Sequence, residues 1–556
     1  MVKKASKLQT SHQRQRELEH LSPFELKDYL ISRAKEHQRQ SSATMLNAGR
    51  GNPNWIAAES REGFFLMGHF AMTEARRTRD DGILAGMPEK SGIAKRFLAF
   101  LDANKGVKGA GFLRLVYGYG VDKKKFDPDG WIYELTDSII GDHYPEPDRM
   151  LVHCEQIVQD YLIKELCNNR PPAGKFDLFA VEGGTAAMCY IFDSLTVNGI
   201  LKHGDTIALF LPTFSPYIEI PHLDRFKFKI VPIRASDKLK DGIHTWHYPP
   251  KEIAKLADPT IKLAFTVNPS NPPSVALGPK EMQQIVGIVK KNPSLILVTD
   301  DVYGTFVPNF RSLMAEVPKN TICVYSFSKN FGCTGWRLGV IGIHEDNVMD
   351  KMIAKLTRGK KRALNRRYGT LTLRPEKIKF IDRMVADSRD VALKHTAGLS
   401  LPQQVQMCFF ALADLLDEKD AYKNLTMKIV KRRRDLLYKG LGVPLPPDDP
   451  LRAWYYVEID FMVGAKKWFG KKFCDYMKKY YEPVDFLFRV AEKSGIVLMD
   501  GGGFGGPPWS VRISLANLDD KDYEQIGQLM RDAGMEYVEA WKDSQVKSVK
   551  RPTGRK

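Results

Sequence analysis

Ser326-Phe327-Ser328-Lys329-Asn330-Phe331-Gly332-Cys333-Thr334-Gly335-Trp336-Arg337-Leu338-Gly339 is the most informative stretch of this 556-residue chain. An apolar, strand-like run, residues 321–325, leads into it. Two hydroxyls, Ser326 and Ser328, and a lysine, Lys329, come directly off the end of that strand. Glycines then bring the backbone close to something, and Arg337 arrives eight residues after the lysine. Hydroxyls, an arginine and closely approaching backbone amides are the parts of an anion cradle, and Lys329 within it is an amine nucleophile. A surface lysine in a glycine-rich loop explains S-x-S-K alone, but not the whole string.

Upstream, short β-rich runs alternate with helical segments: residues 178–181, 206–211, 229–233, 262–267 and 295–299. Repeated βα units predict a mostly parallel sheet covered by helices. Such sheets bind ligands beyond the carboxyl ends of their strands, and chemistry-bearing residues follow those ends here. Gly183-Gly184-Thr185 lies between a strand and a predicted helix, where amides and a hydroxyl suit a phosphate; taken alone, such a turn is equally a structural one. Phe214 follows the second strand, Asn271 the fourth, and Asp300-Asp301-Val302-Tyr303 the fifth. In isolation the aromatic reads as core, and the acidic pair as a metal site or helix cap.

The full string S-x-S-K-x-x-G-x-x-G-W-R-L-G resembles the lysine signature of class I aminotransferases. That resemblance implies an α/β chain of the PLP-dependent transferase fold type I: a large domain with a mostly parallel sheet plus a smaller α+β domain. It also implies pyridoxal 5'-phosphate (PLP) held by Lys329 as a Schiff base. Gly184, Thr185, Ser326, Ser328 and Arg337 would then hold its phosphate and Phe214 would stack on its ring. Asp300 would pair with the ring nitrogen, and Asn271 and Tyr303 would reach the phenolic oxygen. Residues 268–273 (NPSNPP) depart from the family's N-P-x-N-P-T-G after Pro272, so the turn is expected to differ there. Arg512 resembles the arginine that grips a substrate α-carboxylate. Tyr144 resembles the tyrosine that reaches the phosphate of a neighbouring subunit, which implies a homodimer at least.

Three wider features make the chain similar to the aspartate 4-decarboxylases: its length, the loop NAGRGNPNW around Arg50, and an insertion near 360–397. The hexapeptide YPEPDR after His143 and the glycine run 501–506 add to the likeness. The family converts L-aspartate to L-alanine and CO2, has aspartate aminotransferase side activity, and forms dodecamers of six dimers. By that resemblance Arg50 binds the β-carboxylate and Arg512 the α-carboxylate. The nearest alternative is an aspartate or related aminotransferase. A PLP-binding transcriptional regulator is disfavoured, since about 40 residues before the Arg50 loop leave no room for a winged helix-turn-helix.

The bulk numbers are those of an ordinary soluble globular chain: 43% hydrophobic and 27% charged residues, with a net charge of +18. The basic excess reads as solvated or anion-attracting surface rather than as a nucleic-acid site. Seven cysteines without a C-x-x-C pair indicate neither zinc nor a disulfide framework and suit a cytoplasmic protein. No apolar run reaches the 18 or so residues of a membrane span. The expected organisation is a flexible leader (1–20), a small domain (21–75 and 420–542), a large domain (76–419) and a disordered basic tail (543–556).

Overall fold

The structure is a computed structural model that describes residues 10–41, 45–82, 84–389 and 398–549. Its centre is a sheet of seven strands: β1 (Phe176–Val181), β2 (Thr206–Leu211), β3 (Lys229–Arg234), β4 (Ile261–Val267), β5 (Ile296–Asp300), β6 (Thr321–Ser326) and β7 (Gly339–His344). They lie in the order β1-β7-β6-β5-β4-β2-β3, and all neighbours are parallel except β7, which is antiparallel to both β1 and β6. Helices cover both faces, so the central strands read as continuous apolar runs rather than alternating ones. Every residue of β5, β6 and β7 is buried.

Strand β7 was not among the strands expected from sequence. Its insertion between β1 and β6 decides the site, because it sets Gly339 opposite both Val181 and Ser326. The ends of β1 and β6, far apart in sequence, are thereby neighbours.

The second lobe holds an antiparallel sheet of β8 (Tyr456–Asp460), β9 (Met499–Asp500) and β10 (Ser510–Ser514), ordered β9-β10-β8. Residues 46–47, just ahead of the Arg50 loop, pair in parallel with residues 496–497 of this lobe. The loop thus belongs structurally to the small lobe while facing the large one. This agrees with the expected α+β lobe.

Both termini differ from expectation. Ser11 caps a helix, α1 (His12–Leu18), and the segment docks on the small lobe: Thr10 Oγ1 donates to Glu492 at 2.6 Å and Gln15 Nε2 to Asp485 at 3.0 Å. The leader is therefore held from Thr10 onward by buried polar partners that composition does not reveal. At the other end, the last helix, α2 (Asp520–Val549), runs past residue 543, because after Gly534 no Gly or Pro interrupts it before Pro552. Residues 550–556 of the expected tail lie outside the described residues. Within the insertion, the helices Arg358–Tyr368 and Phe380–Asp387 dock on the large domain. Asp387 accepts from Ser194 Oγ at 2.7 Å, Tyr368 Oη at 2.9 Å and Arg367 Nε at 3.0 Å. Residues 390–397 of the insertion lie outside the described residues.

Candidate active site

The anion cradle forms where β1, β6 and β7 meet. Gly183 has φ +95°, and a Cβ there would stand 2.4 Å from Arg337 Nη2, so only glycine lets the guanidinium lie against this turn. Arg337 is itself left-handed, with φ +57°. Such a conformation costs a non-glycine residue about 1 kcal/mol or more and is retained where surroundings enforce it. Here Nη1 donates to the Thr334 carbonyl at 2.9 Å and Nη2 to that of Glu182 at 3.1 Å. Ser326 Oγ donates to Ser328 Oγ at 3.0 Å, and Gly184 and Thr185 open a 14-residue helix. The positive end of that helix, two hydroxyls and an arginine make a site for a dianion such as a phosphate ester.

The acidic pair divides its labour. Asp301 turns into the core, accepting from Thr299 Oγ1 at 2.6 Å and from Ser312, and is no ligand. Asp300, 5% exposed, accepts from Tyr217 Oη at 2.6 Å and from the Val302 N–H at 3.2 Å. Burial pushes its carboxyl up to about 6, against the pull of Tyr217, the Val302 amide and Lys329. A buried carboxylate of this kind is stabilised by a cationic partner. Phe214 meets Tyr217 edge-on at 5.2 Å between ring centroids and Phe24 at 5.6 Å, which fixes the aromatic face beside Asp300.

Lys329 reaches across the lobes. Its Nζ donates to the Gly51 carbonyl at 3.0 Å, an oxygen that Tyr455 Oη also reaches at 2.9 Å. Arg512, 1% exposed, donates through Nη2 to the Gly49 carbonyl at 2.8 Å and through Nη1 to Asn271 Oδ1 at 3.3 Å. Its Nε is buried without a partner, and its guanidinium lies 4.4 Å over the Tyr456 ring. Asn271 Nδ2 donates to Tyr303 Oη at 3.4 Å, and Tyr303 Oη to Tyr456 Oη at 3.3 Å. Burial alone would raise the Tyr456 phenol, but Lys329 and Arg512 outweigh it and hold the phenol below its ordinary value.

Of the residues expected from sequence, the structure brings together Gly184, Thr185, Phe214, Asn271, Asp300, Tyr303, Ser326, Ser328, Lys329, Arg337 and Arg512. Arg50 is exposed, but the carbonyls on either side of it, Gly49 and Gly51, are those held by Arg512 and Lys329. Tyr144 is 65% exposed in the single chain, outside this cluster. Sequence reasoning missed Tyr217, Tyr455, Tyr456 and Phe24. Tyr217 stood three residues after Phe214 and the tyrosine pair side by side in the expected small domain, yet nothing local showed which way their hydroxyls turn.

The fold and this constellation define an aminotransferase-type enzyme, and the family model "Aminotransferase class I and II" matches residues 181–528. The chain belongs to that family. Within it, the chain is 45% identical over 530 residues, 95% of its own length and 98% of the relative's, to a bifunctional aspartate aminotransferase and L-aspartate beta-decarboxylase of Pseudomonas sp. An aspartate aminotransferase of Sulfolobus acidocaldarius is 30% identical over 174 residues, 30% of this chain and 40% of that protein. Among solved structures, a single mutant of Thermus thermophilus aspartate aminotransferase superposes with a TM-score of 0.57 at 16% identity. That match covers 91% of this chain and 96% of the other. The aromatic aminotransferase of Pyrococcus horikoshii gives 0.54 at 18% identity, covering 90% and 99%.

Proposed function

We propose that this chain is a PLP-dependent enzyme that converts L-aspartate to L-alanine and CO2 and transaminates aspartate at the same site. The observation that carries the reading is the loop around Arg50. Its Gly51 and Gly49 carbonyls accept from the amine of Lys329 and from Arg512, so the backbone on either side of Arg50 is tied to both groups. The 45% identity over nearly the whole of both chains supports the same assignment.

The residues fit PLP. The cradle of Gly184, Thr185, Ser326, Ser328 and Arg337 suits its phosphate, and a Cβ on Gly184 would come 3.3 Å from Tyr217 Oη and 3.5 Å from Asp300 Oδ2, so glycine keeps this corner open. Buried Asp300 suits a protonated ring nitrogen, Phe214 a ring face, and Asn271 with Tyr303 a phenolic oxygen. When bound, the cofactor supplies an electron sink for bonds broken at the substrate. Lys329 would attach it and then act as the base that moves protons at the substrate α-carbon. Arg512 binds the α-carboxylate through two parallel hydrogen bonds, and the Tyr456 ring below it fixes the plane of the guanidinium. Arg50 is assigned to the β-carboxylate. Loss of CO2 breaks the bond between that carboxylate and Cβ, and a proton replaces it.

Tyr144, exposed on the single chain, is assigned to the phosphate of a neighbouring subunit, which makes the working form a homodimer at least, with a dodecamer as the larger assembly. Seven free cysteines agree with a cytoplasmic location, and among the described residues no helix is long and apolar enough to cross a membrane. Products from labelled aspartate test the assignment: alanine and CO2 without stoichiometric keto acid are expected. Oxaloacetate alone, formed only with a keto acid present, would make it an aminotransferase. An Arg50→Ala variant with unchanged aspartate kinetics would remove Arg50 from the site.

A further inference from the structure

A second cavity, of about 530 Å³, opens in the small lobe away from Lys329. Its walls come from β8, the helix Phe461–Tyr480, the end of the helix Ala421–Leu441 and the middle of α2, and residues 243–246 of the large domain close one side. Two contacts hold that side in place: His244 Nε2 lies 2.9 Å from Asp460 Oδ2, and Lys467 Nζ donates to Asp241 at 2.9 Å. The wall is largely apolar, with Trp246, Phe461, Phe473, Met530, Trp509 and Val538 among its residues.

Arg452 lines this cavity and is 6% exposed. Its guanidinium stacks 4.3 Å over the Trp454 ring and has no hydrogen bond or ion pair among the described residues; its Nε is buried without a partner. A guanidinium withdrawn from water is ordinarily paired with a carboxylate or phosphate. Burial lowers the affinity of Arg452 for its proton, against the pull of Tyr438, Asp449 and Glu458. The nearby acids do not supply a partner. Asp449 is engaged by His247 at 3.0 Å. Glu458, also on the wall, is pushed well above the carboxylate range by burial, which disfavours its charge; its Oε1 accepts from Ser510, while Oε2 has no partner and makes no ion pair with Arg452. The Nδ1 of His244 is a third buried atom without a partner.

We propose that this cavity is a binding site for a small aromatic carboxylate, distinct from the aspartate site: the carboxylate pairs with Arg452 and the ring packs between Trp246 and the helices Phe461–Tyr480 and α2. One negative charge matches the single unpaired cation. Polar dicarboxylates such as aspartate leave the aromatic wall unfilled and are not the class this site selects.

The test is calorimetric titration of the cofactor-loaded protein with 3-phenylpropanoate, and with 3-phenylpropan-1-ol as the neutral isostere. Both are repeated with saturating maleate, a dicarboxylate chosen as an aspartate analogue. One saturable event per chain is expected, unaffected by maleate, with the alcohol at least tenfold weaker. Arg452→Met should weaken binding at least tenfold. Removal of an unpaired buried charge is not expected to lower the melting temperature, so loss of binding in this variant is separable from misfolding. Gly534→Leu is the second variant: a Cβ at Gly534 meets nothing within 4 Å, so the added side chain fills the cavity while Arg452 stays in place. It should abolish binding and leave aspartate turnover unchanged.

Displacement by maleate, undiminished binding in Arg452→Met, or no binding to the parent protein at millimolar concentration would each overturn the proposal. So would a fall in assembly mass in Gly534→Leu, which would make this face a contact between copies of the chain.

Discussion

Tyr217 Oη donates a 2.6 Å hydrogen bond to Asp300 Oδ2, the shortest polar contact that the Asp300 carboxylate makes. With the Val302 amide it is what opposes burial and lets Asp300 ionise near neutrality. A hydrogen bond to the charged form of an acid lowers its pKa, and losing the bond raises it. Tyr217→Phe keeps the ring packed against Phe214 and Phe265. Its acid limb of kcat against pH should move upward, with kcat at pH 7 lower by about tenfold, the ~1.4 kcal/mol expected for a hydrogen bond to a charged group. An unmoved limb would assign Tyr217 to packing only.

Lys329→Ala should abolish turnover and the borohydride-fixable attachment of cofactor while leaving the fold intact. The amine makes one hydrogen bond, to the Gly51 carbonyl, so its removal should cost no more than about 1 kcal/mol of stability. A variant that still turns over aspartate would end the assignment of Lys329.

Six of the seven strands were legible in the sequence, and the central ones, buried on both faces, announce themselves as apolar runs such as ILVTD and TICVYS; β7, equally buried, was not, its run being broken by Gly339 and Gly342. The cradle was legible for a related reason: glycines, hydroxyls and a lysine at strand ends have few other uses in combination. The contacts that join the lobes were not. Tyr455 immediately precedes β8 and Tyr456 opens it, yet one reaches the Gly51 carbonyl and the other stands beside Tyr303 and Arg512. Pairing of residues separated by some 400 positions leaves no local signature. The docking of Thr10 and Gln15 on Glu492 and Asp485 is of the same kind.

An enzyme that both decarboxylates and transaminates should stall on aspartate alone. Each transamination half-turnover leaves the substrate's amino group with the enzyme, and a keto acid is needed to carry it away. The rate should therefore fall over successive turnovers, and catalytic amounts of pyruvate should restore it. A rate that stays linear through thousands of turnovers would mean that transamination does not compete at this site.

His247 gives a prediction about stability rather than catalysis. Its Nε2 lies 3.0 Å from Asp449 Oδ2 and its Nδ1 3.2 Å from Glu281 Oε1, so the imidazole bridges two carboxylates. Burial disfavours its charge, but the two hydrogen-bonded acids outweigh burial and push its pKa up to about 9. Both acids are held below their ordinary values in turn. Glu281 also accepts from the Gly278 N–H at 2.7 Å and the Tyr248 N–H at 3.2 Å, so the bridge ties the start of the helix Pro279–Lys291 to the segment at Tyr248. A histidine whose pKa is higher in the fold than in the unfolded chain stabilises the fold fully below its unfolded value, ~6.5. That contribution is lost as pH rises through about 9. In denaturant titrations the parent protein should therefore lose on the order of 1–3 kcal/mol across this window relative to His247→Gln, which cannot take up the proton. The carboxylates stay ionised throughout the window, so they add no slope of their own. Parallel stability curves for the two proteins from pH 6.5 to 9.5 would show that the imidazole is neutral in the fold and that the bridge is a pair of ordinary hydrogen bonds.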